Sequence, residues 1–471
     1  MHPRQAQALA SPKIATASPT PTPAMDPRTR LLLEGPIAPT LLRLAAPNVI
    51  VMVAQAAAGL IETWFVGRLG TDALAGMALV FPVVMLMQMM SAGAMGGGIA
   101  SAIARALGAH RRHDAHALVF HALVLSGLFG LAFTAAALLG GERLYAAMGG
   151  QGGSLQAAGV YSNWVFAGAV LVWLFNSLAS VIRGTGNMAL PAQVISVGTL
   201  LLLPVSPLLI FGWGPVPAMG IAGGALALLL YYAGGSVALG LWLLSPRSLL
   251  RPTWADARLR WPLFSDILRV GLAGAVSTVA TNVAIAIATG LAGRFGPEAI
   301  AGYGTASRLE YLLVPLVFGF GGPLVAMVGT AVGAGRRERA LRATWIGAAM
   351  AVALCELIGL AAAAFPHAWL SLFDSDAGMQ AVGAQYLRIV GPVYGLFGLG
   401  LILYFASQGA GRLLWPVLGN IARLVIAALG GWLAWRAGWG LAGVFAAQAL
   451  ALAAYGGINA AAIAKGVWFR D

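Results

Sequence analysis

The stretch Gly59-Leu-Ile-Glu-Thr-Trp-Phe-Val-Gly-Arg-Leu-Gly70 places a carboxylate, Glu62, inside a long apolar segment. A run of this length and composition reads as a membrane helix. An ionisable side chain at membrane depth costs about 2.5–3.5 kcal/mol on insertion scales, so its default reading is part of an ion or substrate pathway. Asn48, Gln55 and Glu62 follow one another at seven-residue spacing. At roughly 100° per residue, that spacing gives the helix one polar face.

The rest of the chain repeats this character. Of its 471 residues 59% are hydrophobic and only 9% charged, which excludes a soluble multidomain enzyme and indicates a polytopic membrane protein. The net charge of +13 is not a nucleic-acid footprint, because Lys and Arg punctuate the joints between apolar runs instead of clustering on one face. The single cysteine, Cys355, rules out an intrachain disulfide and a cysteine metal site. His110, His113 and His116 lie in a loop with only Asp114 nearby and read as solvated, so no metal or other cofactor is expected.

Apolar runs cut by Gly, Pro and charge give twelve candidate spans, at about 41–65, 73–104, 115–139, 157–182, 188–211, 218–244, 266–292, 299–331, 341–365, 380–408, 413–435 and 440–464. Arg105, Arg111, Arg112, Arg183, the runs from Arg247 to Arg269 and from Arg336 to Arg342, Arg412, Lys465 and Arg470 fall on one side. Only Arg68, Arg143, Arg294 and Arg436 fall on the other. The asymmetry predicts that both termini are cytoplasmic. Residues 1–35 lack a signal-peptide core and read as a disordered cytosolic tail rich in Pro.

Motifs then recur. Leu69-Gly-Thr-Asp-Ala-Leu-Ala-Gly76 is echoed by Phe295-Gly-Pro-Glu-Ala-Ile-Ala-Gly302, and Leu107-Gly-Ala-His-Arg-Arg112 by Val332-Gly-Ala-Gly-Arg-Arg337. Arg183-Gly-Thr-Gly186 returns as Gln408-Gly-Ala-Gly411, and Gly220-Ile-Ala-Gly223 as Gly440-Leu-Ala-Gly443. The offset stays near 225 (333 − 108, 409 − 184), so the chain is two halves of six helices. Six is even, so both halves enter the membrane from the same side, the parallel-repeat arrangement of some secondary transporters. The expected fold is all-α and membrane-embedded. It has an N-lobe over 36–244, a cytosolic linker over 245–265, a C-lobe over 266–465 and a short cytosolic end over 466–471. A substrate site between the lobes follows.

These motifs resemble those of the multidrug and toxic compound extrusion (MATE) family of antiporters from about Leu41 to Lys465. The matching pieces are Glu62 before Val66-Gly-Arg-Leu-Gly70, the Gly-Ala-x-Arg-Arg ends of spans two and eight, Ser307-Arg-Leu-Glu310 and Arg183-Gly-Thr-Gly-Asn187. The resemblance implies export of bulky, often cationic organic compounds, driven by an inward proton or sodium gradient. Two departures bear on the ion. The family usually has Asp where Glu62 stands, and many members have Asp-Pro where this chain has Ser206-Pro207. Sodium-binding members tend to carry Glu in span seven, where this chain has Thr281-Asn282 and no acid between Asp266 and Glu298. A proton site at Glu62 follows better than a sodium site.

Each candidate residue also has a bland reading. Glu62 could pair with Arg68 or Arg294, which would hold its charge, whereas a coupling acid must gain and lose a proton. Asn48, Gln55, Gln88, Asn163, Asn176, Gln193 and Ser206 could line a polar cavity around that acid or simply bond helices together. Arg308, Glu310, Glu356, Arg388 and Arg423 could pair internally, or Glu310 or Glu356 could serve a cationic substrate, with Arg308 and Tyr394 nearby. Tyr386, Tyr394, Tyr404, Tyr231 and Tyr232 could face a lipophilic cation or pack as ordinary core.

The leading expectation is an antiporter of small organic molecules in a bacterial inner membrane, with no obligate protein partner. The alternative is a flippase for a lipid-linked or polyprenyl sugar, which would need a basic cavity from Arg308, Arg388 and Arg423. A membrane-embedded enzyme is set aside, because the spans offer no histidine pair, reactive cysteine setting or acid dyad.

Overall fold

The computed structural model describes residues 25–373 and 376–469. Twelve membrane-length segments are labelled here in chain order. The first six are α1 Ile37–Gly67, α2 Thr71–Gly108, α3 Arg112–Ala147, α4 Gly152–Ala167 with Ala169–Gly184, α5 Ala189–Phe211 and α6 Ile221–Leu244. The second six are α7 Trp261–Gly293, α8 Pro297–Gly333, α9 Arg337–Ala364, α10 Ala377–Ala410, α11 Leu414–Arg436 and α12 Gly440–Ala464. The segments run a few residues beyond the apolar runs at most ends. Apolar residues such as Leu139, Leu200, Val237 and Leu241 are exposed around the bundle, as a bilayer-facing surface requires.

Two large buried clusters correspond to the two lobes. One runs from Val51 through Val172 to Leu250, and the other from Ala288 through Leu387 to Ile463. The spans that open each lobe cross over. Leu41 of α1 belongs to the C-lobe cluster, and Ile267 of α7 belongs to the N-lobe cluster. These two residues are one repeat offset apart (267 − 41 = 226), so the exchange is reciprocal.

The breaks are also repeated. Gly168 bends α4 by 48°, and the short 3-10 turn Gly391–Val393 interrupts α10 at the equivalent height. At Gly168 a Cβ would run into Leu229 of α6. Pro392 lies in the α10 break, whereas Pro82, Pro204, Pro207, Pro315 and Pro323 lie inside continuous helices. Two π-helical stretches, Met89–Met95 in α2 and Ile426–Gly430 in α11, have no counterpart in the sequence reading.

The lobes meet where α2 crosses α8, near the basic ends of both helices. A Cβ on Gly108 would overlap the Thr330 carbonyl, and one on Gly333 would overlap the Arg105 carbonyl. Arg105 and Thr330 are themselves one offset apart, as are Gly108 and Gly333, so each helix presses its glycine on the other's backbone across the pseudo-twofold axis. Gly98 adds a third close approach, where a Cβ would lie 2.7 Å from the Ile267 carbonyl oxygen. Small residues let helix backbones approach this closely without a hydrophobic driving force in lipid.

One expectation is corrected. Part of the tail read as disordered is a helix, Pro27–Glu34, whose N-terminus is capped by the Asp26 carboxylate on Arg28 and Thr29 N–H. Leu32 and Leu33 are buried in the C-lobe cluster, and Arg339 donates to the Leu32 carbonyl at 3.0 Å. Two leucines and a helix end seeking donors outweigh the local Pro bias. Residues 1–24 of that tail lie outside the described residues. The linker is docked too. His121 accepts from Arg260 N–H at 2.8 Å, and Asp256 accepts from Thr253 N–H at 2.9 Å and from its hydroxyl at 2.7 Å. Those Thr253 bonds, the backbone one foremost, hold the Asp256 carboxyl below its ordinary value.

Gly108→Val and Gly333→Val should each destabilise the protein by about 1–3 kcal/mol through overpacking. Gly127→Val, where a Cβ meets nothing within 4 Å, should be near neutral. Thermal unfolding in detergent compares the three.

Candidate functional site

Glu62 stands near the C-terminal end of α1, away from the basic ends of the helices. Its Oε1 is buried and accepts no hydrogen bond. Neither expected partner engages it. Arg68 lies over the Trp64 ring at 5.2 Å and Arg294 over the Trp435 ring at 4.2 Å. Among the described residues Glu62 makes no ion pair. Tyr161 and Tyr232 lie within its electrostatic reach. A carboxylate with one oxygen buried and left unbonded is costly while ionised and comfortable once protonated.

The other N-lobe residues divide into four groups. Gln88, Asn176 and Ser91 form a connected network. Asn176 Nδ2 donates to Gln88 Oε1 at 3.0 Å and to Ser91 Oγ at 2.8 Å, and Gln88 in turn bonds the Tyr232 hydroxyl. Through Tyr232, that network comes within reach of Glu62. Ser206 is fully buried with its hydroxyl unpartnered, and Gln55 and Thr199 flank the Tyr231 hydroxyl without closing a hydrogen bond of normal geometry. Asn48 turns instead to the C-lobe, where its Nδ2 meets the Gly319 carbonyl at 3.5 Å. Asn163 and Gln193 are exposed. They do not line the cavity, because helical spacing fixes an angle around a helix but not which neighbour fills it.

The C-lobe holds a cavity of about 110 Å³, bounded by α7, α8, α10, α11, α12 and the π stretch of α2. Glu310 and Arg423 both line it, with the rings of Tyr303, Phe318, Phe397 and Tyr404. Glu310 accepts from the Tyr386 hydroxyl, with Tyr394 beside it. Arg423 faces Glu310 without a direct ion pair and stacks over Phe397 at 5.4 Å. Asn420 ties the cavity wall to α7, donating to the Ser277 carbonyl at 2.7 Å and the Thr281 hydroxyl at 2.9 Å.

The other C-lobe charges lie elsewhere. Arg308 is exposed over the Phe373 ring, and Arg388 is exposed as well. They do not share the cavity with Glu310, since Arg308 is only two residues from Glu310 and must point elsewhere. Glu356 is not a cavity residue. Its Oε2 accepts from Gly395 N–H at 2.7 Å, capping the helix that restarts after the α10 break. A broken helix leaves N–H groups without partners, and a carboxylate from a neighbouring helix supplies one. Among the described residues no group of three or more His, Cys, Asp or Glu could hold a metal ion. Two positions went unrecognised as site residues in the sequence: Arg105 and Gln408, between the lobes. The usable signal was position within the repeat, where Arg105 corresponds to Thr330 and Gln408 to Arg183.

The MatE family model matches residues 47–208 and again 274–433, one block in each lobe at the offset of the internal repeat. The chain belongs to the MatE family. It is therefore a multi-pass membrane transporter and not an enzyme. It is 29% identical to "Probable multidrug resistance protein NorM" of Deinococcus radiodurans over 83% of this chain and 86% of that one. It is 26% identical to an "FAD transporter" of Shewanella oneidensis over 84% of this chain and 87% of that one. Among solved structures, "Outward-facing conformation of a multidrug resistance MATE family transporter of the MOP superfamily" superposes with a TM-score of 0.84 at 25% identity. It covers 95% of this chain and 100% of that one. A MATE crystal structure in complex with MaD3S gives 0.85 at 25% identity, over 94% and 99%.

Glu356→Ala should lower stability by about 1 kcal/mol, the usual cost of a lost helix cap, while Glu356→Gln keeps an acceptor and should be nearly neutral. Chemical or thermal unfolding in detergent reads the difference.

Proposed function

We propose that this transporter is a multidrug antiporter that exports bulky organic, often cationic compounds in exchange for protons, with Glu62 as the coupling acid. One observation carries the reading: Glu62 is half-buried in α1, its Oε1 is buried and unbonded, and Arg68 and Arg294 are both set over tryptophan rings. A salt-bridged carboxylate would hold its charge through the cycle, whereas this one can take a proton and return it.

The cargo site is the C-lobe cavity. Its aromatic walls suit a flat lipophilic body, and Glu310 supplies a negative group for a cationic one. The Tyr386 hydroxyl orients that carboxylate. The Gln88–Asn176–Ser91 network holds α2, α4 and Tyr232 in place beside Glu62. Protonation of Glu62 shifts the transporter only through a difference in proton affinity between its states. The alternating states are a closed basic face, as here, and one in which the lobes part on that face. Both termini then lie in the cytoplasm of a bacterial cell, with the protein in the inner membrane and acting as a single chain. The flippase alternative called for three arginines in one cavity. Only Arg423 lines it, while Arg308 and Arg388 are exposed elsewhere, which supports the antiporter.

In proteoliposomes with an imposed pH gradient, export of a fluorescent lipophilic cation should be gradient-driven and should fall at least tenfold in Glu62→Gln. Sodium-driven export untouched by that substitution would transfer coupling to Glu310. Glu310→Gln should weaken apparent cargo affinity about tenfold while leaving the proton dependence in place, on the basis that a buried charged contact is worth more than a neutral one.

A further inference from the structure

The polar bonds that join the lobes at the basic face converge on one turn of α10. Arg105 of α2 donates through Nη1 to the Gly409 carbonyl at 3.1 Å and to the Ser101 hydroxyl, and through Nη2 to Asp266 Oδ1 at 2.7 Å. Next to Gly409 in the chain, Gln408 sends its amide the other way. Its Nε2 donates to the Gly93 carbonyl at 3.1 Å, with the Ala94 carbonyl at 3.5 Å. Gly93 and Ala94 lie in the π stretch Met89–Met95, a local widening of α2 of the kind often found at functional sites. Gly97 makes room for the amide, since a Cβ there would overlap it.

Neither residue is dictated by the repeat. The mate of Arg105 is Thr330 and the mate of Gln408 is Arg183. Arg105 is 9% exposed and Gln408 0%. A buried guanidinium persists only where it is paired and bonded, and this one keeps Asp266 as its ion-pair partner while it bonds the Gly409 carbonyl only with the lobes together. When the lobes part, Arg105 loses Gly409 but gains water. Gln408 likewise exchanges two main-chain carbonyls for water. The donors of both side chains are satisfied in either state, while the buried Gln408 Oε1 accepts nothing with the lobes together and gains water when they part, so the bonds can form and break in every cycle.

We propose that Arg105 and Gln408 are the catch of the gate on the basic face: positioning residues that set how much of the time the transporter is closed there. Asp266 anchors the arginine, and Gly409 is its strike across the axis. The proposal rests on the alternating-access reading but not on Glu62 as the coupling acid.

Cysteines at His110 and Glu338, exposed on the basic face of the two lobes, carry paramagnetic labels in full-length Cys355→Ser protein reconstituted in lipid. Pulsed distance measurements then read the fractions with lobes together and apart. Gln408→Leu keeps the side-chain bulk without the donor and should shift the closed-to-open ratio about tenfold toward open. Arg105→Gln should shift it further, and Arg105→Lys should recover part of the loss. Melting temperature is recorded in parallel. Distance distributions identical to the unsubstituted background in both Gln408→Leu and Arg105→Gln, with or without a lower melting temperature, would overturn the proposal. Glu62→Gln is measured alongside for transport, so that loss of the coupling assignment and loss of the gate assignment are read separately.

Discussion

Two glycines pressed against two carbonyls hold the lobes of this transporter together. Gly108 on Thr330 and Gly333 on Arg105 form a reciprocal backbone contact across the pseudo-twofold axis, where no side chain could be inserted. In a bilayer there is little hydrophobic gain from bringing helices together, so close packing and a few hydrogen bonds must carry the contact. That makes it both tight and reversible. The exchanged N-terminal halves of α1 and α7 brace it from each side, with Leu41 in the C-lobe core and Ile267 in the N-lobe core.

Chemistry is distributed unevenly over this symmetric frame. The repeat mate of Glu62 is near Ala288, that of Arg105 is Thr330 and that of Glu310 is Met85. Each lobe thus carries its own polar specialisation: an unpaired acid beside a Gln–Asn–Ser network in the N-lobe, and an aromatic cavity with one acid and one base in the C-lobe. The frame supplies bistability, and the asymmetric residues decide what biases it.

Most of the fold was legible in the sequence, because length and hydropathy mark spans and the glycine motifs at Leu69–Gly76, Leu107–Arg112 and Arg183–Gly186 recur with a constant offset. The site was only partly legible. Gln88 and Asn176 bond each other while Asn163 and Gln193 are exposed, a division that needed knowledge of which helix stands opposite. Glu356 looked like a binding acid because the break in α10 that it caps has no strong local signal; Gly391-Pro392 reads equally well as a kink. Arg105 looked like one more topology-setting base. Its burial became apparent only when Gly409 and Asp266, 304 and 161 residues away in the chain, were brought beside it.

The central claim is that the α2–α8 crossing closes and opens in each transport cycle. A Cβ at Gly329 would lie 2.9 Å from that of Ala104, close enough for a disulfide after a small adjustment. With Ala104→Cys and Gly329→Cys in the Cys355→Ser background, oxidation should cross-link the two lobes within one chain and stop transport. Reduction should restore it. Cross-linked protein that transports at the rate of the reduced form would contradict the account, as would cysteines that never join.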